Sequence, residues 1–283
     1  MKVLVLGASG LLGFSILSEL SKDPNLDVYG TVRPASIQFI PKNYLLKIIK
    51  VSNYNNQVTL KRLFNRLKPI AIINCVGITK HKIYSYKIDE IIFINSLLPH
   101  KLYSLCSSIN ARLIHISTDC VFSGNKGNYS ENDLTDATDI YGKTKSLGEV
   151  FGCNSLTLRI STLGFELNSK AGLLEWFLNQ KGECKGYSRA IFSGFPTRYF
   201  SLILKDIIMN KQKLSGLYHL ASDPISKFEV LSIIKDIFNL NISILKDETF
   251  VIDRSLNAKK YNTLTGFKSP NWIELIKIMK ELH

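Results

Sequence analysis

The stretch Lys2-Val3-Leu4-Val5-Leu6-Gly7-Ala8-Ser9-Gly10-Leu11-Leu12-Gly13 decides the fold. A short apolar run meets glycines spaced G-x-x-G-x-x-G, and Leu11–Lys22 then follows with helical periodicity. Glycine is needed where a chain turns tightly, where backbone approaches a pyrophosphate, and where a helix packs closely on a strand. The helix start adds free N–H groups and the positive end of the helix dipole, which together suit phosphate. The stretch therefore reads as the first strand-turn-helix unit of a dinucleotide-binding fold. Gly7, Ser9, Gly10, Leu11, Leu12 and Gly13 are its candidate cofactor-binding residues.

The alternation continues outward from this unit. Strands are expected at Asp27–Val32, Leu46–Val51, Ile70–Cys75, Arg112–Ser117 and Ser155–Ile160. Helices are expected at Val58–Leu67, stopped by Pro69, and at Asp89–Ser108 and Tyr141–Val150, with a polar loop over Ser123–Asp139. Beyond Ile160 the rhythm breaks into helices at Ala171–Gln180, Tyr199–Asn210, Lys227–Leu240 and Trp272–Leu282, with a strand at Gly216–Ala221. The pattern predicts an α/β chain: a Rossmann-type doubly wound parallel sheet with a small C-terminal α/β substrate-binding cap. Residues 1–162 and 195–222 are assigned to the dinucleotide-binding domain, and 163–194 and 223–283 to the cap. Ligands then bind beyond the carboxyl ends of the strands.

Composition narrows the class. The 283 residues suffice for one large domain or two intimate ones, and 45% hydrophobic with 21% charged content excludes disorder, collagen and coiled coil. No apolar run approaches the roughly 18 residues of a membrane span. The first apolar run, broken at Gly7, is too short for the core of a signal peptide, so a cytoplasmic location is expected. Cys75, Cys106, Cys120, Cys153 and Cys184 form no Cys-x-x-Cys pair and no cluster with histidine. Neither a disulfide framework nor a metal site is expected, and most of these cysteines read as small buried hydrophobes. The formal charge of +13 favours anionic ligands, but the lysines are scattered, so no nucleic-acid partner is inferred.

Two further features suggest chemistry. Arg33 stands at the end of the second strand, where NAD-binding units carry an acid for the ribose hydroxyls. A guanidinium there suits a 2′-phosphate, so NADPH is the expected cofactor, with NADH as the alternative. The run Tyr141-Gly142-Lys143-Thr144-Lys145 is common by chance as a Tyr-x-x-x-Lys pattern, but its context gives it weight. Residues four apart share a helix face, so Tyr141 and Lys145 can act on one ligand. The fifth strand ends at Ser117-Thr118-Asp119, on the carboxyl edge where that ligand belongs.

With these residues the chain resembles the extended short-chain dehydrogenase/reductases, and among them the dTDP-4-dehydrorhamnose reductases and related nucleotide-sugar 4-keto reductases. The resemblance runs nearly end to end. It includes the glycine turn, Asn74-Cys75-Val76-Gly77, Asn95, Ser117-Thr118-Asp119-Cys120-Val121-Phe122-Ser123-Gly124, Tyr129-Ser130-Glu131 and the Tyr141–Lys145 run. Gly148-Glu149, Leu158-Arg159-Ile160-Ser161, Phe195-Pro196-Thr197 and Gly216-Leu217-Tyr218-His219-Leu220 complete it. It implies reduction of the 4-keto group of a dTDP- or UDP-linked 4-dehydro-6-deoxysugar by NADPH, in surface-polysaccharide biosynthesis. Thr118, Tyr141 and Lys145 are then catalytic. Tyr141 is the acid, its pKa lowered by Lys145 and by the oxidised nicotinamide. Thr118 donates to the carbonyl oxygen, and Lys145 also binds the nicotinamide ribose. Cys75, Val76, Gly77, Asn95 and Ser117 join the cofactor set, with Asn95 holding a relay water.

The same resemblance implies that Lys80, Asp119, Cys120, Val121, Phe122 and Arg254 face substrate, with Arg254 forked onto its diphosphate. His81 reads as a surface residue, and Trp176 and Phe177 as packing in the cap. A nucleotide sugar is the expected partner and a homodimer the expected assembly.

Three departures stand out: Cys120 replaces the usual tyrosine, Asp136–Ile140 lacks the Pro-Leu-Asn type of lead-in, and Val51-Ser52-Asn53 lacks an aspartate for adenine. The first two border the sugar and look like reductases of UDP-linked 4-keto-6-deoxy-N-acetylhexosamines. A 4,6-dehydratase is disfavoured because Cys120 stands where its glutamate belongs, and Arg33 disfavours an NAD-holding 4-epimerase. Two alternatives stay open. One is a bifunctional epimerase-reductase similar to GDP-fucose synthase, with Cys120 as acid/base, although Leu163–Gly172 holds no histidine to partner it. The other is a non-catalytic NADP-binding subunit like the regulatory subunit of methionine adenosyltransferase.

Overall fold

Val3, Leu4, Val5 and Leu6 are wholly enclosed, as a strand covered on both faces must be. The computed structural model describes residues 1–167 and 172–281. Part of the Leu163–Gly172 stretch, and the expected helix ends Ala171 and Leu282, lie outside the described residues.

Strands β1 (Lys2–Leu6), β2 (Asp27–Val32), β3 (Ile48–Lys50), β4 (Ala71–Asn74), β5 (Arg112–Thr118) and β6 (Ser155–Ile160) join Gly216–His219 in one sheet. Its order is Gly216–His219, β6, β5, β4, β1, β2, β3, and every pairing is parallel. The order reverses between β1 and β4, which opens the ligand crevice of a doubly wound sheet over the glycine turn. On one face Val3, Val5 and Ile114 pack with residues of α1 (Leu11–Leu20) and of the helix Thr197–Asn210. On the other, Leu4, Leu6 and Leu113 pack with residues of α2 (Gln57–Leu67) and of a helix that includes Leu98 and Leu102.

Several boundaries shift for identifiable reasons. The third strand shortens because Lys42–Lys47 forms a 3₁₀ turn. The helix expected over Asp89–Ser108 divides into α3 (Ile88–Ile92), a π segment at Phe93–Leu97 and α4 (Leu98–Ser108). Such π segments favour functional sites, and this one turns Asn95 toward the loop after β4. Helix α5 (Ile140–Leu147) ends at Gly148, where a Cβ would lie 1.9 Å from the Asn95 carbonyl oxygen. The strand expected to reach Ala221 ends at His219.

Past β6, small sheets build the second lobe. Ala190–Phe192 lies between antiparallel Ile225–Ser226 and parallel Ile252–Asp253. Gly182–Tyr187 pairs parallel with Ile242–Asp247, and Thr162–Leu163 pairs with Phe195–Pro196. Trp272 packs on Phe192, with ring centroids 5.4 Å apart. Phe177 is wholly enclosed, whereas Trp176, expected beside it in the packing, is 37% exposed. Cys106 and Cys184 are buried as expected of small hydrophobes, but Cys153 is exposed.

The open edge of the main sheet is closed by side chains. Lys260 Nζ donates to the Leu217 carbonyl at 2.8 Å. The His219 N–H donates to Glu131 Oε1 at 2.8 Å. Among the described residues no helix is long and apolar enough to cross a membrane.

Candidate active site

The turn after β1 holds Gly7 at φ +80°, a region side chains avoid. A Cβ on Gly7 would meet the Cys75 carbonyl oxygen at 3.1 Å, and one on Gly13 would lie 2.2 Å from the Gly7 oxygen. Backbone is thus packed on backbone where a pyrophosphate needs close approach. Helix α1 starts at Gly10, whose position offers no side-chain cap, and no acid occupies its first turn. Its leading N–H groups and dipole remain for an anion, so this crevice fits a dinucleotide. Ser9, Leu11 and Leu12 are half-buried at its rim.

Beneath the turn lie two residues that sequence reasoning missed. Thr31 Oγ1 accepts from the Gly7 N–H at 3.3 Å and lies 2.7 Å from the buried Tyr54 hydroxyl. Arg33 is exposed at the end of β2. Its Nη1 donates to the Tyr86 hydroxyl at 3.0 Å, and this too was not foreseen.

The loop after β4 carries the far wall. Cys75 and Val76 abut Gly7, while Gly77 is exposed. Asn95 is 1% exposed. Its Oδ1 accepts from the Ile78 N–H at 2.8 Å, and its Nδ2 donates to the Ile78 carbonyl at 3.0 Å and to Thr144 at 3.3 Å. The expected water-holding amide is therefore engaged in fastening this loop to α5.

Strand β5 delivers Thr118 at its carboxyl end. Thr118 Oγ1 donates to Asp119 Oδ1 at 3.0 Å and accepts from the Cys120 N–H at 3.1 Å. Asp139 caps α5, accepting from the Gly142 N–H at 2.8 Å. This fixes the helix turn that carries Tyr141 and Lys145. Lys145 is 5% exposed, and its Nζ donates to the Ile116 carbonyl at 2.8 Å. Burial lowers its pKa to about 8, while Glu149 and Cys75 act to raise it.

The chain's own residues push Tyr141 the other way from the lowering expected with Lys145 and an oxidised nicotinamide beside it. Burial raises its pKa, Cys120, Asp119 and Asp139 push the same way, and the Thr118 hydroxyl opposes them. The expected lowering reckoned with neighbouring positive charge and left out the cost of burying a phenolate. Tyr141, Thr118 and Lys145 thus share one end of β5, and Cys75 links this end to the glycine turn, its thiol under the Lys145 charge and its carbonyl packed against Gly7.

Ser117 faces away from this centre. Its hydroxyl donates to Glu149 Oε1 at 2.7 Å. Arg159 donates to both Glu149 oxygens, from Nε and Nη2, each at 2.7 Å. Arg159 Nη1 lies 3.2 Å from His219 Nε2, and His219 Nδ1 lies 3.0 Å from the Tyr129 carbonyl. A carbonyl only accepts, so Nδ1 carries the proton and Nε2 accepts from Arg159. Burial lowers the His219 pKa to about 3, which keeps it neutral.

The residues expected to face substrate divide. Val121 and Phe122 are wholly enclosed, and Phe122 stacks on Tyr129 with centroids 4.1 Å apart. They support the loop from inside. Asp119 is buried and its pKa is raised, by burial above all. Cys120 is half-buried, its thiol pushed up to about 12 by burial. Arg254 donates from Nε to the Phe122 carbonyl at 2.9 Å and from Nη1 to Cys120 Sγ at 3.8 Å. Lys80 pairs with Asp139 at 2.9 Å, and His81 is exposed. A hollow of about 780 Å³ lined by Ser130, Glu131, Tyr218 and Lys260 adjoins the sheet edge and touches none of the expected site residues.

The family described as RmlD substrate binding domain matches residues 1–279. The spore coat polysaccharide biosynthesis protein SpsK of Bacillus subtilis is 26% identical, over 98% of this chain and 95% of its own. Methionine adenosyltransferase 2 subunit beta of Xenopus laevis is 24% identical, over 88% of this chain and 75% of its own. The crystal structure of dTDP-4-dehydrorhamnose reductase from Bacillus anthracis in complex with NADP superimposes with a TM-score of 0.80 at 22% identity, covering 99% of both chains.

Proposed function

The chain belongs to the RmlD substrate binding domain family, and we propose that it is an NADPH-dependent reductase acting on the 4-keto group of a dTDP- or UDP-linked 4-dehydro-6-deoxysugar. The observation that carries this reading is the convergence of Thr118, Tyr141 and Lys145 at the carboxyl end of β5, beside the glycine crevice. The family's reductases and the polysaccharide-biosynthesis relative support the substrate class. The reading makes 1–162 with 195–222 the cofactor lobe, makes 163–194 with 223–283 the substrate lobe, and places the protein in the cytoplasm.

A bound nicotinamide would supply the hydride. Gly7, Gly10 and Gly13 would admit its pyrophosphate, and Arg33 with Tyr86 would lie at the 2′-phosphate. As negative charge grows on the sugar oxygen, Thr118 Oγ1 turns its single proton from Asp119 Oδ1 onto it, and Tyr141 Oη gives up its proton. Burial favours the protonated phenol, the form a reducing enzyme needs at the start of the cycle. Lys145, held on the Ile116 carbonyl, lies one turn along the same helix face, and its positive charge would favour the phenolate as it forms.

An NADPH-oxidation assay with dTDP- and UDP-4-keto-6-deoxysugars, read with NMR of the product, tests the proposal. Oxidation coupled to a new 4-hydroxyl supports it. No oxidation with any of these substrates, despite NADPH binding, overturns it and favours the second reading, a non-catalytic NADP-binding subunit, which the methionine adenosyltransferase relatives suggest. Arg33→Ala is expected to cut the preference for NADPH over NADH by about 10- to 100-fold, the value of a charge-assisted bond. Unchanged Michaelis constants for both cofactors would remove Arg33 from the 2′-phosphate site.

A further inference from the structure

His115 was not among the residues singled out in the sequence. It lies in the middle of β5, registered against Asn74 at the end of β4. Both residues are wholly enclosed. Asn74 Nδ2 lies 3.1 Å from His115 Nδ1, and Asn74 Oδ1 accepts from the Val76 N–H at 3.1 Å.

These two bonds fix the state of the ring. An N–H needs an acceptor, so the Asn74 amide turns its oxygen to Val76 and its nitrogen to His115. His115 Nδ1 therefore accepts, and Nε2 carries the proton. That proton has no acceptor among the described residues, which is destabilising for a buried donor. An apolar side chain would avoid the loss, so the ring's contribution lies at Nδ1. Burial above all, then the charges of Lys145 and His100, holds the His115 pKa well below 6.5. An imidazolium would turn a second N–H onto Asn74 Nδ2 and break the row of bonds.

The row ends at the cofactor site. The Cys75 N–H donates to the Leu6 carbonyl at 3.1 Å, and Asn95 fastens Ile78 further along the loop. A Cβ on Gly7 would lie 3.2 Å from both the Cys75 carbonyl carbon and the Val76 nitrogen. The peptide that Asn74 holds is thus the one packed against the glycine turn, where a pyrophosphate needs close approach. Turned over, the Asn74 amide would set donor against donor at Val76 and push this peptide off its seat.

We propose that His115 is a positioning residue for the cofactor: by accepting from Asn74 Nδ2 it fixes the face that this amide turns to Val76, and so holds the wall of the crevice opposite Gly7. The inference rests on the nicotinamide-cofactor reading above and adds to it a residue enclosed behind that wall.

Titration calorimetry of the full chain with NADP⁺ tests this role in three variants. His115→Leu removes the acceptor and is expected to weaken NADP⁺ binding by about tenfold, the value of one hydrogen bond. His115→Asn sets an amide oxygen near the place of Nδ1 and is expected to stay within about twofold of wild type. Thr157 is registered beside His115 on β6, and its hydroxyl bonds only to the Val150 backbone. Thr157→Val is therefore expected to melt earlier and yet bind NADP⁺ as the wild type does. Wild-type affinity in His115→Leu overturns the proposal. An equal loss in His115→Asn, or in Thr157→Val, also overturns it, because the row would then act through packing alone. Two-bond nitrogen–proton NMR reads the wild-type ring directly: a proton on His115 Nε2 supports the role, and one on Nδ1 overturns it. If the wild-type protein binds no NADP⁺, the cofactor reading itself fails and the positioning role with it.

Discussion

At the scale of single residues, the site sets a phenol and an amine in one enclosure with opposite consequences. Tyr141→Phe keeps the ring that packs beside Ile78, Ile83 and Ile91 and removes only the proton. Turnover is expected to fall by about 10²- to 10⁴-fold with NADPH affinity unchanged, as read by single-turnover kinetics and fluorescence titration. Near-normal turnover would remove Tyr141 as the acid. Lys145 carries a pH signature. Its pKa is about 8 in the folded protein against an ordinary 10.5, so the unfolded chain binds more protons between these values. Stability contributed by this group must therefore rise with pH across that window, by up to about 3 kcal/mol, and be at its lowest below pH 8. Denaturation of wild type and Lys145→Met from pH 8 to 10.5 checks this: the wild type should gain on the variant as pH rises. The glycines, Tyr141 and Lys145 were legible because their spacing is itself the signal. Tyr54 and Tyr86 were not, because an isolated tyrosine carries no pattern until folding supplies its neighbours.

At the scale of elements, pairing register does what no local motif reveals. Ser117 is registered against Arg159, and Arg159 against His219, on adjacent strands. Glu149, just past α5, completes the row and fastens the helix of Tyr141 and Lys145 to the sheet. Glu149 and Arg159 side chains are 2% and 4% exposed, and breaking such a pair strands a buried charge. Glu149→Gln is expected to cost about 3–5 kcal/mol in urea unfolding; a loss below 1 kcal/mol would show that the pair is replaceable by a neutral bond. Strands Asp27–Val32 and Ser155–Ile160 were readable to the residue because β-branched and apolar residues dominate both and each is followed by a break, Arg33-Pro34 after the one and Ser161 after the other. The π segment was not, because its apolar spacing continues the helical pattern and the change serves the Asn95–Ile78 contact. The Gly182–Tyr187 and Ile242–Asp247 pair was also missed, since each strand is half polar and its partner lies far along the chain.

At the scale of the whole molecule, the chain leaves the main sheet after β6, builds part of the second lobe, and returns to add Gly216–His219. The helix Thr197–Asn210 packs on α1 within the same apolar cluster that reaches Trp272 and Phe192. Two lobes that share core and chain crossings should unfold together. Both tryptophans, Trp176 and Trp272, lie in the second lobe, so their fluorescence reports it separately from far-ultraviolet dichroism. Coincident midpoints are expected; a separate tryptophan transition would mean that the lobes melt independently. Sequence periodicity identified the large layer, whereas the small sheets, most of whose strands run to only two or three residues, came from tertiary contact.

The side chains of Lys260 and Glu131 have a consequence beyond the fold. Leu217 and His219 would otherwise present an outward carbonyl and amide to any passing backbone. With both taken, a neighbouring molecule finds no template there on which to extend the ribbon, and that rim is guarded against fibril growth. Replacing either guard would reopen the seam to recruitment of a foreign strand, a hazard of crowding rather than of chemistry.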